Sequence, residues 1–497
     1  MDTIPAVLRA AVADAPDREA VVTPEVRLTY AQLLDRVQRF SRAALANGIG
    51  HGDRVALWVP NTADWVIAGL GLTGIGAILV PINTRFKGEE ARYLLDKTQA
   101  SALLVDDTFV GPLLGTDPLA ALGDPTLQVI RTSSLEDFTS RADEVPLDMV
   151  EKAAEAVAED DACDLIFTSG TTGRPKGVVS THGQSIRVFR SWCETTGFRE
   201  GERMLIVAPF FHTFGYKAGL LACLLRRATA VPLKVFDVDD AVRTIVAERI
   251  DVIPGPPTLY SSLLEQPQQL PPLRLAVTGA AAVPQALISR MRSELGFEEV
   301  ITAYGLTECN GMATACRQGD PDEIISLTSG RAIPDVEVKV LAEAGQPGEV
   351  LVRGYNVMRG YWDDPEASAE AIDAEGWLHT GDVGVMDDAG NLRITDRIKD
   401  MYVVGGFNAY PAEIEQVLVR HEGVSEAAVI GVPDERMGEV GKAFVVPRTG
   451  VSLTPEEIIA YSRERLANYK VPRYVEIVDA LPKNATGKVT KNALRTT

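Results

Sequence analysis

The sequence predicts an α/β protein: a large N-terminal domain of parallel and mixed sheets covered by helices, closed by a small distorted barrel, then a small α+β C-terminal domain. Three observations predict it. Short β-branched runs alternate with amphipathic helical patterns over most of the length, and strand–helix alternation builds parallel sheets sandwiched by helices. After about Pro334 the runs become short strands joined by turns such as Asp388-Ala-Gly390-Asn391, the pattern of hairpins and barrels. Near Lys399 the chain changes character again. From Asp400 onward 13 acids face 12 bases, so the body carries nearly all of the net charge of −20. The boundary is therefore expected between residues 1–398 and 399–497.

In the first region the expected strands are Arg54–Val59, Ala102–Val105, Leu165–Phe167, Arg203–Val207, Ala230–Leu233, Val252–Ile253 and Leu273–Thr278. The uncharged run Val66–Ile82 is slightly short for a bilayer core and holds four glycines and a proline. It reads as a buried helix followed by a buried strand. Gly69, Gly71 and Gly74 in it fit the GxGxxG pattern, which binds dinucleotides only in the tight turn right after a strand. Here Asn61-Thr62 looks like a helix cap, so the glycines fall inside the helix as close-packing positions. The second region is expected to hold strands at Val336–Leu341, Gly348–Arg353, Gly381–Asp387 and Leu392–Asp396. The last holds a helix over Pro411–Arg420, strands at Glu426–Val432 and Lys442–Pro447, and a helix over Thr454–Leu466 opened by Thr454-Pro-Glu-Glu457.

Composition narrows the function. With 46% apolar and 24% charged residues the chain is neither disordered nor fibrous. Its acidity argues against nucleic acid as a partner, because such binders need a basic face to displace counterions. An anionic substrate has to be held by local donors against the overall field. Cys163, Cys193, Cys223, Cys309 and Cys316 form no CxxC pair and are expected to be small buried hydrophobes in a reduced, cytoplasmic setting. Met1-Asp-Thr-Ile-Pro5 shows no basic stretch before an apolar run, so no secretory signal is expected. No membrane span is expected either.

Four segments carry candidate chemistry. Thr168-Ser-Gly-Thr-Thr-Gly-Arg-Pro-Lys-Gly177 follows the strand-like Asp164-Leu-Ile-Phe167. Its hydroxyls, glycines and lysine make a turn rich in donors, able to wrap phosphate oxygens. It lacks the GxxxxGK[ST] spacing of a Walker A loop. The others are Ala303-Tyr-Gly-Leu-Thr-Glu308, His379-Thr-Gly-Asp382 with Arg393-Ile-Thr-Asp-Arg397-Ile-Lys399-Asp400, and Pro482-Lys-Asn-Ala-Thr-Gly-Lys488. Alone, each also fits an ordinary loop, hairpin or solvated tail.

In this order the segments resemble the adenylate-forming superfamily of acyl-CoA synthetases, adenylation domains and beetle luciferases, from about Asp17 to Lys491. The resemblance implies an ATP-dependent carboxylic acid:CoA ligase whose small C-terminal domain is mobile, with ATP, Mg²⁺, coenzyme A and a small carboxylic acid as partners. It implies that Thr168, Ser169, Gly170, Thr171, Thr172, Gly173 and Lys176 cradle the β- and γ-phosphates. Gly279, Ala280, Ala281, Tyr304 and Gly305 would line the adenine. Thr307 would bond the α-phosphate and Glu308 would hold Mg²⁺. Asp382 would accept from the ribose with Arg397 assisting, and Lys488 would reach both carboxylate and α-phosphate. Lys399 matches the hinge. Val404, Gly405, Gly406 and Phe407 would line a pantetheine tunnel that His212 gates. A carboxylate that attacks ATP needs two anions brought together, so the chemistry is positioning and charge neutralisation. No nucleophilic side chain is required, and no GxSxG elbow is present.

The same resemblance places the acid among His212, Phe214, Gly215, Lys217, Gly219, Thr258, Asn310, Gly311 and Met312. Amino-acid-activating relatives carry an aspartate near the position of His212 for the substrate ammonium; Phe211-His212 stands here, so an α-amino acid is not expected. The stretches Pro209–Gly219, Pro254–Thr258, Ala303–Met312 and Met401–Pro411 are similar to actinobacterial CoA ligases for the indane-dione propanoate of steroid breakdown. A bulky cyclic propanoate or a medium-chain fatty acid is the implied acid. An amide synthetase, in which an amine intercepts the adenylate, is the alternative.

Overall fold

Two sheets are built from strands lying between Glu19 and Ala332. The computed structural model describes residues 2–123, 127–168, 175–266, 270–279, 283–343, 345–397, 400–404, 407–434, 437–466, 468–484 and 489–495, with Asp396, Arg397, Val403, Phe407, Asn408 and Glu413 described by backbone alone. The first sheet has six strands in the order Gln128–Arg131, Ala102–Val105, Arg54–Trp58, Ile78–Pro81, Ala162–Thr168, Lys176–Thr181. All pairs are parallel except the last, which is a hairpin across the glycine-rich segment. The second has nine strands, with Glu299–Tyr304, Leu275–Gly279, Val252–Pro254, Arg203–Ile206, Thr229–Pro232 and Glu19–Val22 as its parallel centre. Arg27–Thr29 closes one edge and Thr314–Ala315 with Arg331–Ala332 the other, all antiparallel.

Buried parallel strands read as unbroken apolar runs, and Ile78–Pro81 and Ala102–Val105 are buried at every position. The run Val66–Ile82 resolves into the helix Ala63–Gly74 and the strand Ile78–Pro81. Thr62 caps that helix by accepting from the Trp65 amide, and ten of its twelve residues are buried. Gly71 lies against Phe40, and its carbonyl accepts from the Ser41 hydroxyl at 2.9 Å. The glycines therefore serve helix packing. Among the described residues no helix is long and apolar enough to cross a membrane. All five cysteines are buried and none forms a disulfide.

Val336–Leu341, Gly348–Gly354, Leu378–Met386 and Leu392–Arg397 make an antiparallel four-stranded meander, a half-barrel. The third strand starts earlier than its sequence suggests, because His379 pairs with Leu351 across a bulge. Beyond residue 400, Gly438–Pro447 pairs with Val424–Asp434 along ten positions, longer than the two short strands expected, and with Tyr402–Val404 and Tyr474–Ile477. Thr454 and Glu457 form the expected reciprocal cap of the helix Pro455–Arg463. One large core joins residues from Ile4 to Leu378 and a second packs one face of the first sheet, from Ala56 to Leu165, whereas this last region holds two small clusters of its own.

Candidate active site

In open α/β sheets ligands bind beyond the carboxyl ends of the strands. That edge is where the sequence motifs converge. Ala162–Thr168 delivers Thr168 at its end, Leu275–Gly279 ends at Gly279, and Glu299–Tyr304 ends at Tyr304 with Glu308 one turn on. The Thr168 hydroxyl donates to Glu308 Oε1 at 3.3 Å, across 140 residues of sequence. Tyr361 donates to the same oxygen at 3.1 Å, and Lys176 Nζ sits 5.1 Å from the Tyr361 ring centre. Tyr361 gets there because residues 359–362 run along the Lys176–Thr181 strand: the Trp362 amide donates to the Gly177 carbonyl at 2.7 Å and the Val179 amide to Gly360 at 3.0 Å. Burial, then the Glu308 charge, push the Tyr361 phenol far above its usual range, so it stays protonated and donates. The sequence reading did not single out Tyr361. Its signal was only an aromatic in Gly360-Tyr-Trp362, whose use depends on a distant carboxylate.

A second pair lies on the half-barrel side. Tyr304 donates to Asp382 Oδ2 at 2.7 Å, and Asp382 is 3% exposed. Burial raises the Tyr304 phenol well above its ordinary value, and the Asp382 carboxylate adds to it. Arg397 stands opposite Asp382 in the strand register; its side chain lies outside the described residues. Gly279 faces Ala303 so closely that a Cβ would lie 2.3 Å from the Ala303 carbonyl oxygen, so the strand ends can meet only through glycine. Gly305 is exposed and Thr307 half-buried beside them. Carboxylate and hydroxyl oxygens around Glu308 are hard donors, a set that fits Mg²⁺.

The acid-side residues form a different kind of wall. His212 caps the short helix Thr213–Gly215 with Nδ1, accepting from the Phe214 amide at 3.1 Å. A π-helical turn follows over Tyr216–Leu221; such turns are rare and recur at functional sites. Phe214 is half-buried, Gly215 buried, and Gly219 packs on Ile206. Thr258 is exposed, and Gly311 and Met312 follow Asn310 in the turn after Glu308. Lys217 and Asn310 were expected to line the acid pocket, but both side chains are fully buried and engaged with each other, so neither is open to an acid. Lys217 Nζ lies 3.0 Å from Asn310 Oδ1 and 3.0 Å from Asp164 Oδ2, with all three side chains buried.

Val404 packs into a small core with Tyr402 and Val440. Ser169, Gly170, Thr171, Thr172, Gly173, Ala280, Ala281, Lys399, Gly405, Gly406 and Lys488, and the Phe407 side chain, lie outside the described residues. Lys483 and Val489, flanking Lys488, pair as an antiparallel bridge.

Comparison with known proteins shows the family. Residues 8–362 match the AMP-binding enzyme family and residues 413–488 its C-terminal domain. The chain is 50% identical to a 3-[(3aS,4S,7aS)-7a-methyl-1,5-dioxo-octahydro-1H-inden-4-yl]propanoyl:CoA ligase of Rhodococcus jostii, covering 99% of this chain and 98% of that one. It is 49% identical, with the same coverage, to the Mycobacterium tuberculosis ligase of that name. Among solved structures, ATP-bound MatB from Rhodopseudomonas palustris superposes with a TM-score of 0.89 at 28% identity, covering 100% of this chain and 98% of that one. An anthranilate CoA ligase holding anthranoyl-AMP gives 0.89 at 28%, covering 99% and 96%.

Proposed function

The chain belongs to the AMP-binding, adenylate-forming enzymes, and from that premise we propose which of its residues carry each step and which acid it takes. It is an AMP-forming acid:CoA ligase. A carboxylate oxygen attacks the α-phosphorus of ATP and pyrophosphate leaves; the CoA thiol then attacks the acyl carbon, and AMP leaves as the thiol loses its proton. Both steps bring anions or poor nucleophiles together, so preorganised donors do most of the work.

The observation that carries the assignment of roles is the convergence of Thr168, Lys176, Glu308 and Tyr361 beside the pair Tyr304–Asp382. In this reading the segment 168–176 cradles the β- and γ-phosphates. The adenine lies between Gly279–Ala281 and the Tyr304–Gly305 edge, and Asp382 with Arg397 takes the ribose. Thr307 bonds the α-phosphate. Glu308 holds Mg²⁺, which when bound offsets phosphate charge. Lys488 places its ammonium between the substrate carboxylate and the α-phosphate. The region from Lys399 onward then turns about Lys399, withdraws Lys488 and presents Val404–Phe407 to the pantetheine arm, with His212 at the mouth. A hinge of this kind needs only a few residues that absorb backbone change.

The acid is a bulky bicyclic propanoate. Two ligases named for an indane-dione propanoate match the chain over almost its full length, and the sequence has Phe211-His212 where the amino-acid-activating enzymes it resembles carry an aspartate for the α-ammonium. Pyrophosphate release against a panel of acids, with and without CoA, tests this. Turnover is expected with the indane-dione propanoate and a thioester only when CoA is added. Activation of α-amino acids with the propanoate inert overturns the substrate; an amide formed in preference to the thioester overturns the acceptor. Lys488→Ala should lose on the order of 10²–10³ in acyl-AMP formation, yet still convert synthetic acyl-AMP and CoA at near the normal rate. Gly406→Leu should show the reverse. Proportional loss of both steps in both variants overturns the alternation.

A further inference from the structure

The Lys217–Asp164–Asn310 cluster draws its three side chains from three elements that lead into the site. Asp164 sits four residues before Thr168 on the strand that leads into the phosphate-binding segment. Lys217 belongs to the π-helical turn that starts four residues after His212. Asn310 is two residues beyond Glu308, at φ 54°, and its amide donates to the Asn356 carbonyl at 3.1 Å. One ammonium thus joins the phosphate side, the acid side and the Glu308 turn. It does so in a dry place: Lys217 and Asp164 are each 0% exposed.

Burying this pair has no evident reward in stability. Taking two charges out of water is costly, and uncharged residues that pack as well often hold a fold equally or better. The surroundings add little compensation. Asp164 Oδ2 also accepts from the Cys163 thiol at 3.1 Å, but Asp164 Oδ1 and the Tyr216 hydroxyl, both buried, have no hydrogen-bond partner among the described residues. Packing alone does not call for a charged pair and two further polar atoms at this depth.

We infer that Lys217 is a positioning residue for adenylation: held by Asp164 and Asn310, it fixes the spacing between Thr168, at the end of the Asp164 strand, and the Glu308 turn. The inference rests on the adenylation reading above. It also separates the two half-reactions. While ATP is intact, Thr168, Lys176 and Glu308 must face one triphosphate together. Once pyrophosphate has left, the thioester step no longer needs that spacing.

The experiment compares Lys217→Met with the double variant Lys217→Met/Asp164→Leu. The single variant strands a buried carboxylate and is expected to lose stability. The double variant removes both charges at similar volume and should melt within a few degrees of the unmodified protein. Three readouts follow on the double variant: pyrophosphate release with the indane-dione propanoate, thioester formation from synthetic acyl-AMP and CoA, and the thermal midpoint. The expected result is a 10- to 100-fold fall in kcat for pyrophosphate release, with thioester formation from the supplied adenylate within twofold. Full pyrophosphate release by a stable double variant overturns the positioning role and leaves the adenylation reading intact. An equal fall in both half-reactions overturns it too, since a general loss of folding quality would act on both. If the unmodified protein releases no pyrophosphate with any acid, the adenylation reading falls and this inference with it.

Discussion

On the nucleotide side of the site, carboxylates meet hydroxyls at partly open positions. Glu308 and Tyr361 are half-exposed, and their partners come from separate loops and strand ends. On the acid side, Lys217, Asn310 and Asp164 are fully buried and paired with each other, and Gly215 is wedged against backbone. The difference follows from what each wall does. Nucleotide-side groups must exchange their partners for phosphate and ribose oxygens, so they are left where water and ligand reach them. Acid-side groups must keep a shape, so they are locked inside. Substitutions should therefore cost chiefly activity on the first wall, and on the second chiefly stability wherever they overpack it or leave a buried charge unpaired.

The sharpest test of that contrast is Glu308→Gln. The carboxamide fills the same space and can still accept from Thr168 and Tyr361, so the thermal midpoint should stay within a few degrees. It loses the charge proposed to meet Mg²⁺. Several kcal/mol of charge stabilisation is typical of such sites, so pyrophosphate release should fall at least about 10²-fold. A Glu308→Gln protein that melts well below the unmodified one, or that releases pyrophosphate normally, breaks the contrast on its nucleotide side.

Gly215→Ala tests the other wall. A Cβ there would lie 2.2 Å from the Pro209 carbonyl oxygen and 2.3 Å from that of Ala208. Both are backbone atoms, so no flexible side chain can make room. Overpacking of this kind costs about 1–3 kcal/mol, read as a lower urea midpoint. The pyrophosphate rate of the fraction that remains folded should change less than the stability does. An unchanged urea midpoint would show that this wall yields, and that its shape is not fixed as argued.

The two walls also differ in how far they were legible in the sequence. Thr168, Glu308 and Asp382 sit in short segments that each also fit an ordinary loop or hairpin, and it is their order along the chain, resembling that of a known family, that singles them out. The strands beneath them were legible because buried parallel strands are unbroken apolar runs, as in Ala102–Val105. Tyr361 and Asp164 were not legible. Each is an ordinary residue in an ordinary stretch, and its importance lies in a partner brought close only by folding: Glu308 for Tyr361, Lys217 for Asp164. Lys217 itself was picked out, but its direction was not, because a lysine among apolar neighbours carries no sign of the carboxylate it faces. The long Val424–Pro447 hairpin shows the same limit for the fold: its strands extend through Pro433 and Gly441, where composition argues for a break but cross-strand pairing carries the ladder on.

The smallest effect is expected from Tyr304→Phe, and it probes where the nucleotide wall is most nearly closed. The substitution keeps the ring face proposed for the adenine and removes only the hydroxyl that donates to Asp382 at 2.7 Å. Asp382 is buried, so this donor helps aim its carboxylate before any ribose arrives. Losing one such hydrogen bond typically costs about 0.5–1.5 kcal/mol, so the KM for ATP should rise roughly two- to tenfold with kcat nearly constant. The effect should run through the ribose. With 2′,3′-dideoxy-ATP, which offers Asp382 no hydroxyls, the unmodified protein and Tyr304→Phe should differ by less than twofold. Acidity gives a second check. The Tyr304 phenol is raised well above its ordinary value, so it remains a donor where a free tyrosine, near pH 10, begins to ionise. The KM ratio between the two proteins should then stay level from pH 7 to about pH 10. A ratio that collapses toward one as pH approaches 10 would mean the phenol ionises freely and is not held by its burial beside Asp382. An equal ratio for ATP and the dideoxy nucleotide would mean the hydroxyl serves the ring's packing and does not aim the carboxylate.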